Sequence, residues 1–363
     1  MRDFYEKEIS GCSVVGIMSE EGSRFSGELI MKSISVMRER ANGLGGGFAA
    51  YGIYPEFCRL YAFHLIFQNN RAKQLTEEYL KENYSIEKDE PIPTRPHSSI
   101  KYPPGLWRYF LKFKKKREKV EVAFTEEDGV VRTVMEINAN IEGAFVASSG
   151  KNMGIFKGMG YPEDIGRFYR LEEYEGYIWI AHGRFPTNTI GWWGGAHPFG
   201  LLGWAVVHNG EISSYGINKR YLSNFDYHCR LFTDTEAITY LFDLLVRKHK
   251  LSLEMVSLAL AAPLWDVIER LPENLKSIAR AIRLVYGSAL LNGPFSIIVG
   301  HNGGMLGLVD RIKLRPLVAA RSGDMLYISS EESGINEVSS SLDKVWQAKA
   351  GVPIIGELKC LSH

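Results

Sequence analysis

Short apolar runs of strand length stand at both ends of this chain, with its strong helical patterns between them. The first is CSVVGIM (12–18); the last are FSIIV (295–299), MLGLV (305–309), PLVAA (316–320) and MLYISS (325–330), separated by turns. Apolar runs of about four to eight residues bounded by turn residues read as buried strands. Further runs, GAFVASSG (143–150), YIWIAH (177–182) and LLGWAVVH (201–208), precede helical patterns at 234–249 and about 254–287. Strands at both ends and helices between predict a layered α+β structure. Alternating βαβ units and a Gly-x-Gly-x-x-Gly fingerprint are missing, which argues against a dinucleotide fold.

Near the start, Ser26 to Arg40 reads as a helix, with Ile30, Ile34 and Met37 at helical spacing and Ser26 as cap. The cluster Asn42-Gly-Leu-Gly-Gly-Gly47 follows, and 36 glycines in 363 residues exceed the usual share of about 7%. Such a cluster suits a tight loop where backbone must come close to a neighbour. The texture changes at 57–139, which reads as an inserted α+β module. It holds a strand at 61–67, an amphipathic helix at 71–83, and five of the chain's 14 prolines between Pro91 and Pro104. That density favours linker and loop. The basic aromatic stretch WRYFLKFKKKREK (107–119) reads as a solvated amphipathic segment, with contact to a partner as the sharper alternative.

Lys and Arg total 43 against 42 Asp and Glu, so the chain is no general nucleic-acid binder. Its four cysteines, Cys12, Cys58, Cys229 and Cys360, form no Cys-x-x-Cys pair, which argues against a zinc ribbon, an iron–sulfur site or a disulfide scaffold. No apolar run approaches the ~18 residues of a membrane span. The charged first residues lack the apolar core of a secretory signal, so a cytoplasmic, reducing location is expected.

Four segments could carry chemistry. Cys12 opens a strand after Gly11; alone, it reads equally as a small buried hydrophobe. In HGRFPTN (182–188), Arg184 follows a strand and suits a small carboxylate, because guanidinium grips carboxylate through two parallel hydrogen bonds. In HNGEI (208–212), Asn209 and Gly210 read either as a hairpin turn or as an oxyanion hole. In TDTEAI (233–238), Thr233 and Glu236 match a capping box, and Asp234 either complements the helix dipole or binds an ammonium group.

Taken in order, these segments resemble the class II, N-terminal-nucleophile glutamine amidotransferases. The resemblance covers 12–56 and about 140–340, and makes 12–56 with 140–363 the amidotransferase core. It implies a four-layer αββα sandwich and Cys12 as nucleophile once a propeptide, 1–11, is removed. It implies an oxyanion hole at Asn209 and Gly210, and glutamine held by Arg184, Thr187 and Asp234. Arg40, in ERANGLGGG, matches a further substrate-binding arginine; here Ala41 follows where the family usually has glycine. RIKLRPL (311–317) and SSEES (329–333) look like the family's late core motifs. Within the family, HNGEI is most similar to glutamate synthases, and the whole to the stand-alone archaeal-type amidotransferase subunit. That likeness implies no cofactor in this chain, with FMN and iron–sulfur centres on a flavoprotein partner, and no metal, membrane or nucleic acid.

The chemistry agrees with the resemblance. An α-amino group titrates at about 7.7–8.0, close to a thiol near 8.5, so the amine of an N-terminal Cys12 can act as its base. Other acceptors stay open: phosphoribosyl pyrophosphate, a sugar phosphate or aspartate. So does a non-catalytic assembly subunit that keeps residues 1–11. A zinc set of His182, His197, His208 and Cys229 and a papain-like Cys–His pair are the rival readings of the remaining histidines.

Overall fold

The computed structural model describes residues 11–114, 124–185 and 191–359. Its core is two antiparallel sheets laid face to face. One has seven strands, in the order Lys344–Gln347, Val318–Ser322, Met325–Ser329, Ser13–Ser19, Ile178–Gly183, Gly46–Tyr51 and Met153–Gly158. The other has five: Phe199–Leu201, Trp204–Gly210, Phe295–His301, Gly304–Val309 and Ile354–Glu357. Apart from edge strands such as Lys344–Gln347, their strands are buried on two faces and so read as nearly unbroken apolar runs rather than alternating ones. Ser13–Ser19, fully buried, is the central strand of the larger sheet.

The sheets meet closely at Gly16. A methyl group there would lie 2.5 Å from Met305 Sδ and 3.0 Å from Ile298 Cγ2, so glycine permits this approach. Tyr51 adds a polar tie, its hydroxyl donating to the Gly300 carbonyl across the gap at 2.7 Å. Helices Glu28–Ser35, Pro162–Phe168 and Glu332–Asn336 cover the outer face of the larger sheet. Asp234–Phe242 covers the smaller one, packing on Trp204–Gly210 and Phe199–Leu201. The result is the four-layer αββα sandwich expected from the resemblance.

A third, four-stranded sheet stands beside this core, in the order Tyr84–Pro91, Gly105–Phe113, Tyr61–Phe67 and Ala144–Ser148. Helices Asn70–Asn83 and Glu126–Asn140 pack on it. The helix read at 71–83 starts where Asn69 accepts a hydrogen bond from the Ala72 N–H. Gly105–Phe113 corrects the reading of this stretch as linker and solvated segment. It is a strand paired on both sides, with Leu106 and Phe110 in one hydrophobic cluster and Tyr109 and Leu111 in the other. Pro91 ends one strand and Pro103-Pro104 precede the next, so these prolines bound strands rather than break them. The lysines at 115–119 lie outside the described residues.

Two helical readings also change. The segment 254–287 is three helices, Leu253–Leu260, Trp265–Glu269 and Glu273–Val285, divided at Pro263 and Pro272. Proline has no N–H to donate and disfavours helical backbone in the residue before it. The early helix runs from Glu28 to Ser35, and Ser26 Oγ accepts from the Glu28 N–H at 3.1 Å. Among the described residues no helix is long and apolar enough to cross a membrane.

Candidate active site

Strand register sets the first two groups. Ser13 pairs with Gly183, so Cys12 and Arg184 leave adjacent central strands at the same edge of the sheet. The Phe185 N–H donates to Cys12 Sγ at 3.3 Å. Burial pushes the Cys12 thiol up, although that N–H and the charges of Arg184 and Arg315 pull it down; Glu211 adds to the rise. The thiol is therefore protonated at neutral pH and needs a base before it can attack.

The glycine cluster makes room for Arg184. Gly45, at φ +138°, accepts from the Arg184 N–H at 3.0 Å, and a methyl group on it would press 3.3 Å from Arg184 Cδ. Gly47 is tighter still, with the carbonyls of His197 and Phe156 each 2.5 Å from where its Cβ would be. Burial lowers the Arg184 pKa, while Cys12, Asp234 and Glu211 oppose that shift, which places all three within reach of its field. Thr187 lies outside the described residues.

Asn209 and Gly210 end a strand of the smaller sheet, paired with Ser296 and Phe295. This corrects the hairpin alternative: the chain turns earlier, between Leu201 and Trp204, and runs straight through Asn209. Asn209 is buried, and its Nδ2 has no hydrogen-bond partner among the described residues. Gly210 has φ +144°, and a Cβ on it would fall 1.9 Å from the Pro294 carbonyl oxygen. Only glycine fits this position.

Asp234 is the first residue of its helix, as its motif suggests. Thr233 caps that helix by accepting from Thr235 N–H at 3.2 Å. Glu236 does not complete a capping box; it turns inward and accepts from the Arg230 and Leu231 N–H groups and the Tyr240 hydroxyl. Burial raises the Asp234 carboxyl, but His208, 3.4 Å away, the Ile212 N–H and Thr235 outweigh it and hold it below the usual value. Asp234 is thus a carboxylate suited to an ammonium group.

Arg40 comes to the backbone of Cys12 itself. Its Nε donates to the Cys12 carbonyl at 3.4 Å, and its Nη1 pairs with Glu331 at 2.6 Å. Glu331 and Arg315 come from the two late motifs, and Glu211 from HNGEI. These charged groups carried no assigned role in the sequence, although the motifs that contain them marked their segments.

The histidines form a separate buried stack. The rings of His182 and His197 lie 4.0 Å apart, and His197 Nε2 lies 2.7 Å from Thr235 Oγ1. His182 Nε2 faces the His208 carbonyl at 3.1 Å. Burial lowers His182 to about 3 and holds His197 well below its ordinary value, so both are neutral. None of the three is hydrogen-bonded to Cys12, which removes the papain-like pair. Among the described residues no group of three or more His, Cys, Asp or Glu is arranged to hold a metal ion, which corrects the zinc reading.

Sequence reasoning also missed the ionisation of Glu236. Burial raises its carboxyl from 4.5 to about 7. The folded chain holds this proton more tightly than the unfolded one. Its stabilising contribution is therefore full below about pH 4.5 and lost as pH rises through about 7. Between those values the native protein should lose on the order of 1–3 kcal/mol relative to Glu236→Gln. Denaturant unfolding across that range checks this; parallel pH profiles for the two proteins would show that Glu236 does not titrate there.

A family model described as class-II glutamine amidotransferases matches residues 98–350. The chain belongs to that family. An uncharacterized protein from Archaeoglobus fulgidus is 50% identical over 98% of this chain and 94% of its own length. The amidophosphoribosyltransferase of Methanocaldococcus jannaschii is 26% identical over 56% of this chain, and the match spans 38% of that enzyme. For the glutamate synthase large chain of Azospirillum brasilense the identity is 24% over 54% of this chain, and only 14% of that protein is covered. The chain thus spans well under half the length of either of these two differently named relatives.

Proposed function

We propose that this amidotransferase hydrolyses glutamine to glutamate and ammonia through a γ-glutamyl thioester on Cys12, and passes the ammonia to a glutamate synthase partner. The observation that carries the reading is that Arg184 leaves the sheet edge beside Cys12 with both Cys12 and Asp234 in its field, while His182 on that same strand faces the His208 carbonyl, next to Asn209 and Gly210. Arg184 grips the α-carboxylate of glutamine and Asp234 its α-ammonium, which leaves the side-chain amide to reach the sulfur. The Cys12 amine, freed by removal of residues 1–11, takes the thiol proton. The thiolate adds to the amide carbon, and Asn209 Nδ2 with the Gly210 N–H stabilises the oxyanion. The intermediate collapses, the C–N bond breaks, and the ammonium form of the Cys12 amine returns its proton to the departing nitrogen. Water, deprotonated by the same amine, then cleaves the thioester.

Ammonia release from glutamine by the purified, processed chain tests the reaction, and Arg184 tests the binding geometry. Arg184→Lys keeps the charge and loses the fork, so KM for glutamine should rise at least ~10-fold. Asp234→Ala should raise it as well. Unchanged KM in both variants would remove the two residues from the site.

The glutamate synthase assignment rests on the HNGEI segment and on the similarity to the Azospirillum large chain. The acceptor enzyme is expected to carry FMN and iron–sulfur centres and to supply the electrons that convert 2-oxoglutarate and ammonia to glutamate. Copurification of the native chain with such a flavoprotein, and glutamine-dependent glutamate formation from 2-oxoglutarate, supports that partner. Transfer instead to phosphoribosyl pyrophosphate, a sugar phosphate or aspartate would replace the acceptor and leave the glutaminase half intact.

A further inference from the structure

Two guanidinium groups flank the backbone just before the nucleophile. A methyl group on Gly11 would lie 3.3 Å from Arg40 Nη2 and 3.6 Å from Arg315 Nη1. These arginines reach the same peptide from distant places. Arg40 follows the first helix, and Arg315 sits in the connection between Gly304–Val309 of the smaller sheet and Val318–Ser322 of the larger one. They differ in compensation. Arg40 is paired with Glu331 and bonded to the Cys12 carbonyl. Arg315 has no salt bridge among the described residues, and its buried Nε has no hydrogen-bond partner among them.

We infer that Arg315 is a positioning residue whose charge keeps the α-amino group of processed Cys12 neutral, and so able to accept the thiol proton. This inference rests on the N-terminal-nucleophile reading given above. Removal of residues 1–11 leaves the new amine at the Cys12 end of the Gly11 peptide, beside both guanidinium groups. A nearby cation disfavours a second positive charge, so the ammonium form is destabilised. The full charge environment supports a net positive field. Arg184 faces the nucleophile from the adjacent strand, Arg40 from the segment after the first helix, and Arg315 from the late connection. Against these stand Glu331, which is engaged by Arg40, and Glu211, at the end of the smaller sheet, with Asp234 beyond it. Bound glutamine would place its carboxylate on Arg184 and its ammonium on Asp234, leaving Arg315 as the cation whose effect on the amine persists during turnover.

The test is the pH dependence of kcat/KM for glutamine, measured on enzyme whose intact mass shows that it begins at Cys12. Arg315→Gln should move the acidic limb upward by about one pH unit, so that activity falls ~10-fold near pH 6.5 and returns toward the native level near pH 9. Arg315→Lys should restore the limb. Glu331→Gln, which frees Arg40 from its carboxylate, should shift the limb the other way. A loss in Arg315→Gln that is uniform across pH, or a limb that stays in place, overturns the inference. Should Arg315→Gln fail to fold or to process, Arg315→Met, which keeps an unbranched stem and drops the charge, decides by the same upward shift, and an unmoved limb there also overturns it. The underlying reading fails differently: the mass of active native enzyme would then include residues 1–11, whatever the limb does.

Discussion

Glutaminase activity is expected only in chains that begin at Cys12. In the uncleaved chain the nitrogen of Cys12 is an amide, with no basic lone pair, and burial keeps the thiol protonated. The three buried histidines offer no substitute, since their ring contacts among the described residues are to one another, to Phe199, Thr235 and Asp234, and to backbone. Cys12→Ala should lower kcat by roughly 10⁴-fold or more, to the assay background. A variant that blocks removal of residues 1–11 should behave the same way while folding normally. Intact mass and ammonia release, measured on the same preparation, decide the matter. Full activity in a chain that retains Met1 to Gly11 would sink the N-terminal-nucleophile mechanism. A native protein found uncleaved and inactive would support a role in assembly instead.

The second large effect belongs to Asn209. Its side-chain amide is a buried donor with no partner among the described residues, next to a glycine whose φ of +144° no other residue adopts easily. In the proposed mechanism this donor serves a charge that appears only during the reaction. Asn209→Ala should therefore lower kcat by about 10²–10³ and leave KM nearly unchanged. Steady-state kinetics on the processed enzyme check it. A normal kcat would assign Asn209 a purely structural place at the strand end.

Much of the architecture was legible because the strands are buried on both faces. FSIIV, MLGLV and MLYISS read as apolar runs for the same reason that they pair in the middle of sheets. The strand at Gly105–Phe113 was hidden by its neighbours: prolines and lysines at its ends resemble a linker until the pairing on either side is known. Of the candidate site residues, Cys12, Arg184, Asn209 and Asp234 stand out in the sequence because each lies beside a strand end or helix start in a short motif, and the structure places those ends where the motifs suggest. Arg315, Glu331 and Glu211 were visible only as members of such motifs. Their meaning depends on which distant groups they approach, and that is fixed by sheet order rather than by local spacing. Glu236 shows the same limit from the other side. Its sequence position suits a cap, but the inward rotamer is chosen by three donors from Arg230, Leu231 and Tyr240.

The central place of Ser13–Ser19 carries a consequence for the order of synthesis. One neighbour of this strand is Ile178–Gly183 and the other is Met325–Ser329; the Val14 N–H donates to Ser330 Oγ, 316 residues away in sequence. On a ribosome adding about 5–20 residues per second, the first strand waits on the order of tens of seconds before its last partner exists. Arg315 and Glu331 arrive at the end of the same interval. Cys12 is among the first parts of the protein to be made, yet its surroundings are completed last, so a chain released before Ser330 would carry the cysteine without the neighbours that the late strands bring to it.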